Sequence, residues 1–320
     1  MTSLIDGLYK AKQELLLLPY DLEISTTTIT CCLDTKINVE NIGLYFNDFD
    51  DVIIGKRYGN RVVNNLVNIK KFRSGKKKKR KEKKNFYNQV SLIFRSCTLM
   101  GIEPERLSIK ENTKTVNIKL FINGSIQMTG CKHLDNIKKS LEILFNKLKM
   151  TKVILKKDLT LVEKPFVDDI EKLDIKNVNK FCIQMINTNF NMQFQINRNK
   201  LYQLLISNNI EESDDPLVKA NKNELKMLMK DVCIDATFDP IIHACVNIKY
   251  HLKNKSKTIS IFVFESGSIT IAGSNTSEEV LEVYNFINKF ILINYNNLLT
   301  KDITPRLIIE FIKKINFNEN

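Results

Sequence analysis

The chain has 320 residues, a formal net charge of +13, and 43% apolar against 27% charged side chains. That length holds one large domain or two ordinary ones, and the composition is that of a soluble globular protein, not of a chain too polar to bury a core. The charge implies a polyanionic partner, nucleic acid or an anionic membrane, and by itself does not choose between them.

In chain order, residues 3–18 carry Leu4, Leu8, Leu15 and Leu18 in a helical pattern. The run Leu15 to Leu18 is stopped by Pro19, is too short to span a bilayer, and is preceded by no secretory signal pattern. An extended run, Ile24 to Leu33, leads to a short helix starting near Ile37 with Asn38 as its cap. Residues 49–85 read as an inserted loop, whose stretch 76–84 is Lys-Lys-Lys-Lys-Arg-Lys-Glu-Lys-Lys. Such a run is either a solvated or nuclear-import-like loop or a flexible arm for nonspecific phosphate contacts. The strand Val90 to Phe94 and the mixed-sign connection 95–115 follow. A strand, an Asn123-Gly124 turn, a second strand and Gly130 then lead into a helix. The turn is a good hairpin signal because both of its residues tolerate positive φ.

A second series starts after 150–179 with an extended run, Phe181 to Phe194, and a helix capped by Asn197. Glu211-Glu212 and Asp214-Asp215 read as a solvated loop before a helical stretch, 221–231. A second hairpin and helix close the series, and 305–317 form another amphipathic stretch. The two series are copies. Phe121/Phe264, Gly124/Gly267, Ser125/Ser268, Ile126/Ile269 and Gly130/Gly273 match at one offset, which continues through Ile137/Val280, Leu141/Tyr284, Leu144/Ile287 and Leu148/Ile291. The domain reading is a helical flank (1–19), a first repeat (20–149), a connection (150–179), a second repeat (180–297) and a second flank (298–320).

The copied residues resemble the TATA-box-binding protein family. Leu120-Phe121-Ile122-Asn123-Gly124-Ser125 with Met128-Thr129-Gly130-Cys131-Lys132 is similar to the family's hairpin, as is Val263-Phe264-Glu265-Ser266-Gly267-Ser268 with Ile271-Ala272-Gly273. Phe181-Cys182-Ile183-Gln184 looks like its second opening strand, and Asp239-Pro240 like the segment ahead of the next one. The resemblance implies an α+β saddle: two pseudo-symmetric repeats forming a curved antiparallel sheet with helices on the convex side. It also implies minor-groove binding, with aromatic wedges that unstack base steps and bend the duplex. Phe121 and Phe264 match one wedge of each pair. The other falls on Phe86 or Tyr87 in the first repeat and on His243 in the second.

Alternation along the hairpins assigns Lys119, Phe121, Ser125, Gln127 and Thr129, and then Phe262, Phe264, Ser268, Thr270 and Ala272, to the groove-facing side. The family's central asparagines map onto Thr26 and Met185, with Thr28 and Asn187 two residues on. Its lysines at the positions of Ser125 and Ser268 are absent, Lys132 is retained with Asn275 as its counterpart, and Lys249 flanks the second repeat's strand connection.

Two functions follow. One is a non-enzymatic transcription initiation factor that binds and bends A·T-rich double-stranded DNA as a monomer and recruits a transcription factor IIB-like factor and RNA polymerase. The other is a protein-interaction scaffold of the same fold with reduced or lost DNA binding, which the polar groove-facing residues favour. A substrate-binding domain of a processing enzyme has no separate catalytic domain to serve. No phosphate loop, nucleophile elbow or metal-ligand spacing is present, so no cofactor or metal is expected. The seven cysteines hold no Cys-x-x-Cys, and buried free thiols of a reducing compartment are expected. The protein is expected inside the cell: in a nucleus if cellular, in host cytoplasm, a virus factory or a virion if viral. The Asn, Lys and Ile content suits an A·T-rich genome such as that of a large DNA virus or a fast-diverging parasite.

Overall fold

Strands in this chain are written by alternation. Thr115–Phe121 and Thr258–Phe264 each bury every second residue, and the intervening side chains are half exposed. A computed structural model describes residues 2–64, 86–102, 114–206, 216–230, 232–253 and 256–300. The lysine run 76–84, the acidic stretch 211–215 and the stretch 305–317 lie outside them. The chain divides into two compact units, Met1–Leu17 with Ile24–Ile186, and Leu18–Glu23 with Asn187–Asn320.

The first unit contains helix α1 (Leu4–Leu15), strand β1 (Glu23–Leu33), α2 (Val39–Tyr45), β2 (Ile53–Tyr58), β3 (Arg61–Asn64), β4 (Gln89–Arg95), α3 (Ser96–Leu99), β5 (Thr115–Phe121), β6 (Ser125–Cys131) and α4 (Asp135–Leu148). A ribbon, β7 (Lys152–Leu155) and β8 (Leu161–Lys164), follows before β9 (Val178–Asn191), which passes from this unit into the next. The antiparallel order is β1-β6-β5-β4-β2-β3. One face of this sheet buries Ile29, Leu92, Ile118, Ile126 and Met128 beneath α4, whose stripe Ile137, Leu141, Leu144 and Leu148 is closed to solvent. Ser3 caps α1 by accepting the Asp6 N–H at 3.1 Å.

The second unit adds α5 (Arg198–Ile206), α6 (Pro216–Met229), β10 (Cys233–Thr237), β11 (Cys245–His251), β12 (Thr258–Phe264), β13 (Ser268–Ser274), α7 (Ser277–Ile293) and α8 (Tyr295–Leu298). Its order is β10-β11-β12-β13-β9, and Val246, Ile248, Ile261, Val263, Ile269 and Ile271 pack beneath Val280, Val283, Ile287 and Ile291 of α7. Tyr284 stays half exposed, its hydroxyl donating to Asp21 at 2.8 Å, and Val283 takes the core position instead. The fold is thus the expected α+β class, in which each repeat is an antiparallel sheet with helices on one face.

Several local expectations are corrected. The hairpin turns are not Asn-Gly pairs at positive φ: only Gly124 (φ 84°) and Gly267 (φ 81°) have left-handed backbone. Each closes a three-residue loop by donating its N–H to Phe121 O or Phe264 O, both at 3.1 Å, while Asn123 Oδ1 accepts the Ser125 N–H. Gly130 lies within β6 and not at a helix entrance. With φ 87° it makes the bulge that shifts pairing from Thr27↔Cys131 to Ile29↔Met128. Part of the expected loop 49–85 is the hairpin β2–β3, turned at Gly59 (φ 54°). Asn38 does not cap α2. Its side chain donates to Pro165 O at 3.2 Å because the chain at 165–166 runs alongside, whereas Asn197 does cap α5 through the Lys200 N–H. Helix α6 begins at Pro216, earlier than expected. Only some thiols are buried: burial pushes those of Cys31 and Cys131 up to about 12, while Cys182 and Cys233 are exposed because they fall on solvent-facing strand positions.

Candidate nucleic-acid interface

In each unit one sheet face is taken by helices, which leaves the other to present the polar half of the alternation. In the first unit Lys119, Phe121, Ser125, Gln127 and Thr129 all lie on this helix-free face, half exposed. Register links them across strands: Arg57 pairs with Ser91, Ser91 with Lys119, Lys119 with Gln127, and Gln127 with Thr30. Thr30 Oγ1 in turn accepts Gln184 Nε2 at 2.8 Å. A groove of about 700 Å³ opens here, lined by Arg57, Phe86, Gln89, Ser91, Asn117 and Lys119. Phe121, at the end of β5, is paired with Gln89.

The two aromatic alternatives ahead of β4 separate. Phe86 is 55% exposed and lines the groove. Tyr87, equally exposed, packs edge-on against Tyr58 with ring centres 5.5 Å apart, and a Cβ on Gly59 would meet its ring at 2.3 Å. Of the two rings, Phe86 is the one that lines the groove.

Thr26 is half exposed on this face, but Thr28 is only 6% exposed. It stands opposite the bulge of β6 and is nearly closed to solvent, so it is not an open contact position. Met185 is half exposed near the end of the first unit's part of β9. Lys132 is half exposed just past β6.

In the second unit Phe262, Phe264, Ser268, Thr270 and Ala272 take the equivalent positions, all half exposed. Phe262 pairs with Asn247 and Thr270, and Phe264 with Cys245. Lys249 lies inside β11, two residues before its end. It is cross-strand from Asp235 and donates to Ser260 Oγ at 2.6 Å, so it does not project from the connecting loop. His251 is held between Asp235 Oδ2 at 2.8 Å and Thr258 Oγ1 at 3.1 Å. Asn187 Oδ1 accepts the N–H of Gly273, the repeat's counterpart of Gly130, at 3.2 Å. His243 is exposed, two residues ahead of Cys245, its backbone N–H fixed on Asp239 O at 2.7 Å.

Sequence reasoning missed the residues beside it. Ile241 and Ile242 are 95% and 72% exposed at the tip of a turn fastened by Asp239, whose carboxylate accepts the Ile241 N–H at 2.9 Å. Asn117 and Asn247 were also missed. Each lies on the helix-free face with a buried carboxamide oxygen that has no hydrogen-bond partner. Extending the alternation two residues back along β5 and onto β11 would have found the asparagines, whereas the isoleucines sit in a turn with no period to read. Among the described residues no cluster of three metal-ligating side chains occurs, and no helix is long and apolar enough to cross a membrane.

The chain is 30% identical over 306 residues to a protein of Acanthamoeba polyphaga mimivirus described as TATA-box-binding protein-like, covering 93% of this chain and 73% of that one. Among solved structures, Methanococcus jannaschii TBP aligns over 84% of this chain and 98% of its own, at 12% identity and a TM-score of 0.41. No family model matches.

Proposed function

The chain belongs to the family of TATA-box-binding protein-like proteins, and we propose that it is a non-enzymatic transcription initiation factor that binds duplex DNA through the minor groove and bends it. The observation that carries this reading is the repeated placement of Phe121 and Phe264. Each is a half-exposed ring on a helix-free sheet face, one step before a glycine-closed turn. A buried ring at those positions would have been core, and a ring on an otherwise polar face suits insertion between base steps. Unstacking a step costs a few kcal/mol, recovered by the contact a bent duplex allows. Phe86 in the first unit and Ile242 beside His243 in the second supply the partner wedges. Arg57, Lys119 and Lys132 supply phosphate contacts, and Gln127, Thr129, Thr270 and Asn247 face the bases. A·T-rich sites are preferred because their minor groove is narrow and their flexible steps unstack easily. A transcription factor IIB-like factor and RNA polymerase are the partners such a bent complex recruits, and a virus with an A·T-rich genome is the setting.

The polar residues at Ser125 and Ser268, together with the engagement of Lys249 by Ser260, favour a second reading, a scaffold of the same fold with little DNA affinity. End-labelled A·T-rich duplexes, followed by fluorescence energy transfer across a salt series, separate the two. The proposed factor shortens the end-to-end distance, and a Phe121→Ala/Phe264→Ala double variant does not. Binding without any bend, or a bend that survives the double variant, would falsify the wedge mechanism. Absence of binding at low salt would leave the scaffold.

A further inference from the structure

The ribbon β7–β8, in the connection between the repeats, takes no part in the interface described above. Its register pairs Val153 with Glu163 and Leu155 with Leu161, so Val153, Leu155 and Leu161 share one face. With Leu159 at the turn they are 54%, 62%, 72% and 78% exposed in the order Val153, Leu155, Leu161, Leu159. A stripe of four large apolar side chains open to water marks an interaction site far more often than single exposed residues do. The ribbon is nevertheless held in one conformation at both ends. At its tip the Leu159 N–H donates to Lys156 O at 3.0 Å and the Asp158 carboxylate accepts both the N–H and the hydroxyl of Thr160. At its base Pro165 O accepts Asn41 Nδ2 at 2.7 Å, and Phe166 packs on Phe46. An isolated two-stranded ribbon is at best marginal in water. This one is fixed by its ends, and its apolar stripe stays exposed among the described residues.

The charges of the ribbon point to its partner. Lys152 is paired with Lys164 on the face opposite the stripe, where alternation also puts Lys156, while Glu163 shares the stripe's face. A second copy paired edge to edge would set its lysine face beside this one, and a nucleic acid would leave the stripe wet. We propose that β7–β8 docks an extended, acidic protein segment whose apolar residues alternate with carboxylates. The segment adds as a third strand on a free edge of the ribbon. Alternation then continues the apolar stripe with its leucines or valines while its carboxylates meet the lysines.

The test uses the full chain and three labelled peptides: one alternating leucine and valine with glutamate and aspartate, one of the same composition with the alternation broken, and one with lysine replacing each acid. By fluorescence anisotropy the alternating acidic peptide binds, and the other two bind at least about tenfold more weakly. Leu155→Ser/Leu161→Ser and Lys156→Glu/Lys157→Glu variants each lose about tenfold or more in affinity for it, while melting temperature and DNA binding stay unchanged. Equal binding of the broken-pattern peptide, or no binding of the alternating one, overturns the proposal. Flotation with phosphatidylserine vesicles that the serine variant abolishes would instead make the ribbon a lipid contact. A dimer in sedimentation that the same variant dissolves would make it a self-interface.

Discussion

Arg57 and Lys119 stand on the same row of the first unit's sheet, one strand to either side of Ser91, and both line the groove that opens on its helix-free face. In the second repeat the position matching Lys119 is Phe262, paired with Thr270 as Lys119 is with Gln127. At that position the first unit therefore offers a cation where the second offers an aromatic ring.

Under the proposed DNA-binding function, that difference sets the salt dependence. If Arg57 and Lys119 each neutralise one phosphate, an Arg57→Met/Lys119→Met variant flattens the slope of log affinity against log salt by about 2. Lys249→Met changes it little, because that amine is already held by Ser260 and lies across from Asp235. Titrations at several salt concentrations measure both slopes. An unchanged slope in the double variant removes these residues from the phosphate contacts.

The second unit's wedge is expected to be aliphatic. Ile241 and Ile242 project from a turn fixed by Asp239, while His243 adjoins them with a ring that is costly to desolvate. Ile242→Ser is expected to reduce the bend angle as Phe264→Ala does, and His243→Ala to leave most of it. Energy transfer between the duplex ends measures the bend. The reverse order of effects would assign the wedge to the histidine.

Legibility in the sequence followed from whether burial imposed a period. Phe121, Gln127 and Thr270 could be placed on a face because their neighbours Leu120, Ile126 and Ile269 are fully buried, and a strand with one buried face alternates. The glycines were legible because the repeat displays each of them twice. The turn geometry was not: Asn-Gly suits two loop lengths, and the chain uses the longer, with the asparagine oxygen on the Ser125 N–H. Hairpin β2–β3 was obscured by the neighbouring lysine run. Thr28 was misjudged because a bulge on the partner strand leaves no mark on its own strand.

The turn glycines have unequal roles that substitution separates. A Cβ on Gly124 would lie 2.4 Å from both Leu33 O and Thr35 O, and one on Gly267 would lie 2.2 Å from Phe194 O. Gly101 has a similar φ of 74° with nothing within 4 Å. Gly101→Ala thus carries only the left-handed backbone penalty, about 1 kcal/mol. Gly124→Ala and Gly267→Ala must also displace backbone carbonyls and are expected to cost roughly 3 kcal/mol or more. Urea unfolding compares the three, and equal losses would mean that the carbonyls yield freely.

Lys56 gives the fold a pH dependence. It is 6% exposed on the core side of β2, and its Nζ donates to Ile42 O at 3.2 Å and Phe46 O at 2.5 Å, at the end of α2. Burial, and then the charge of Arg61, push its pKa down to about 8. Because the folded value lies below the unfolded one, the unfolded chain binds more protons between about pH 8 and the ordinary lysine range. This residue therefore makes the protein more stable as pH rises through that window, by on the order of 3 kcal/mol in full. At pH 7 the amine is charged in both states, and its desolvation is offset only by the two carbonyls. Lys56→Met is expected to lose those bonds, to be less pH-sensitive than the parent, and to fall behind it increasingly between pH 8 and 10. Unfolding free energies of both proteins at each pH test this, and parallel curves would show that the amine does not titrate with folding.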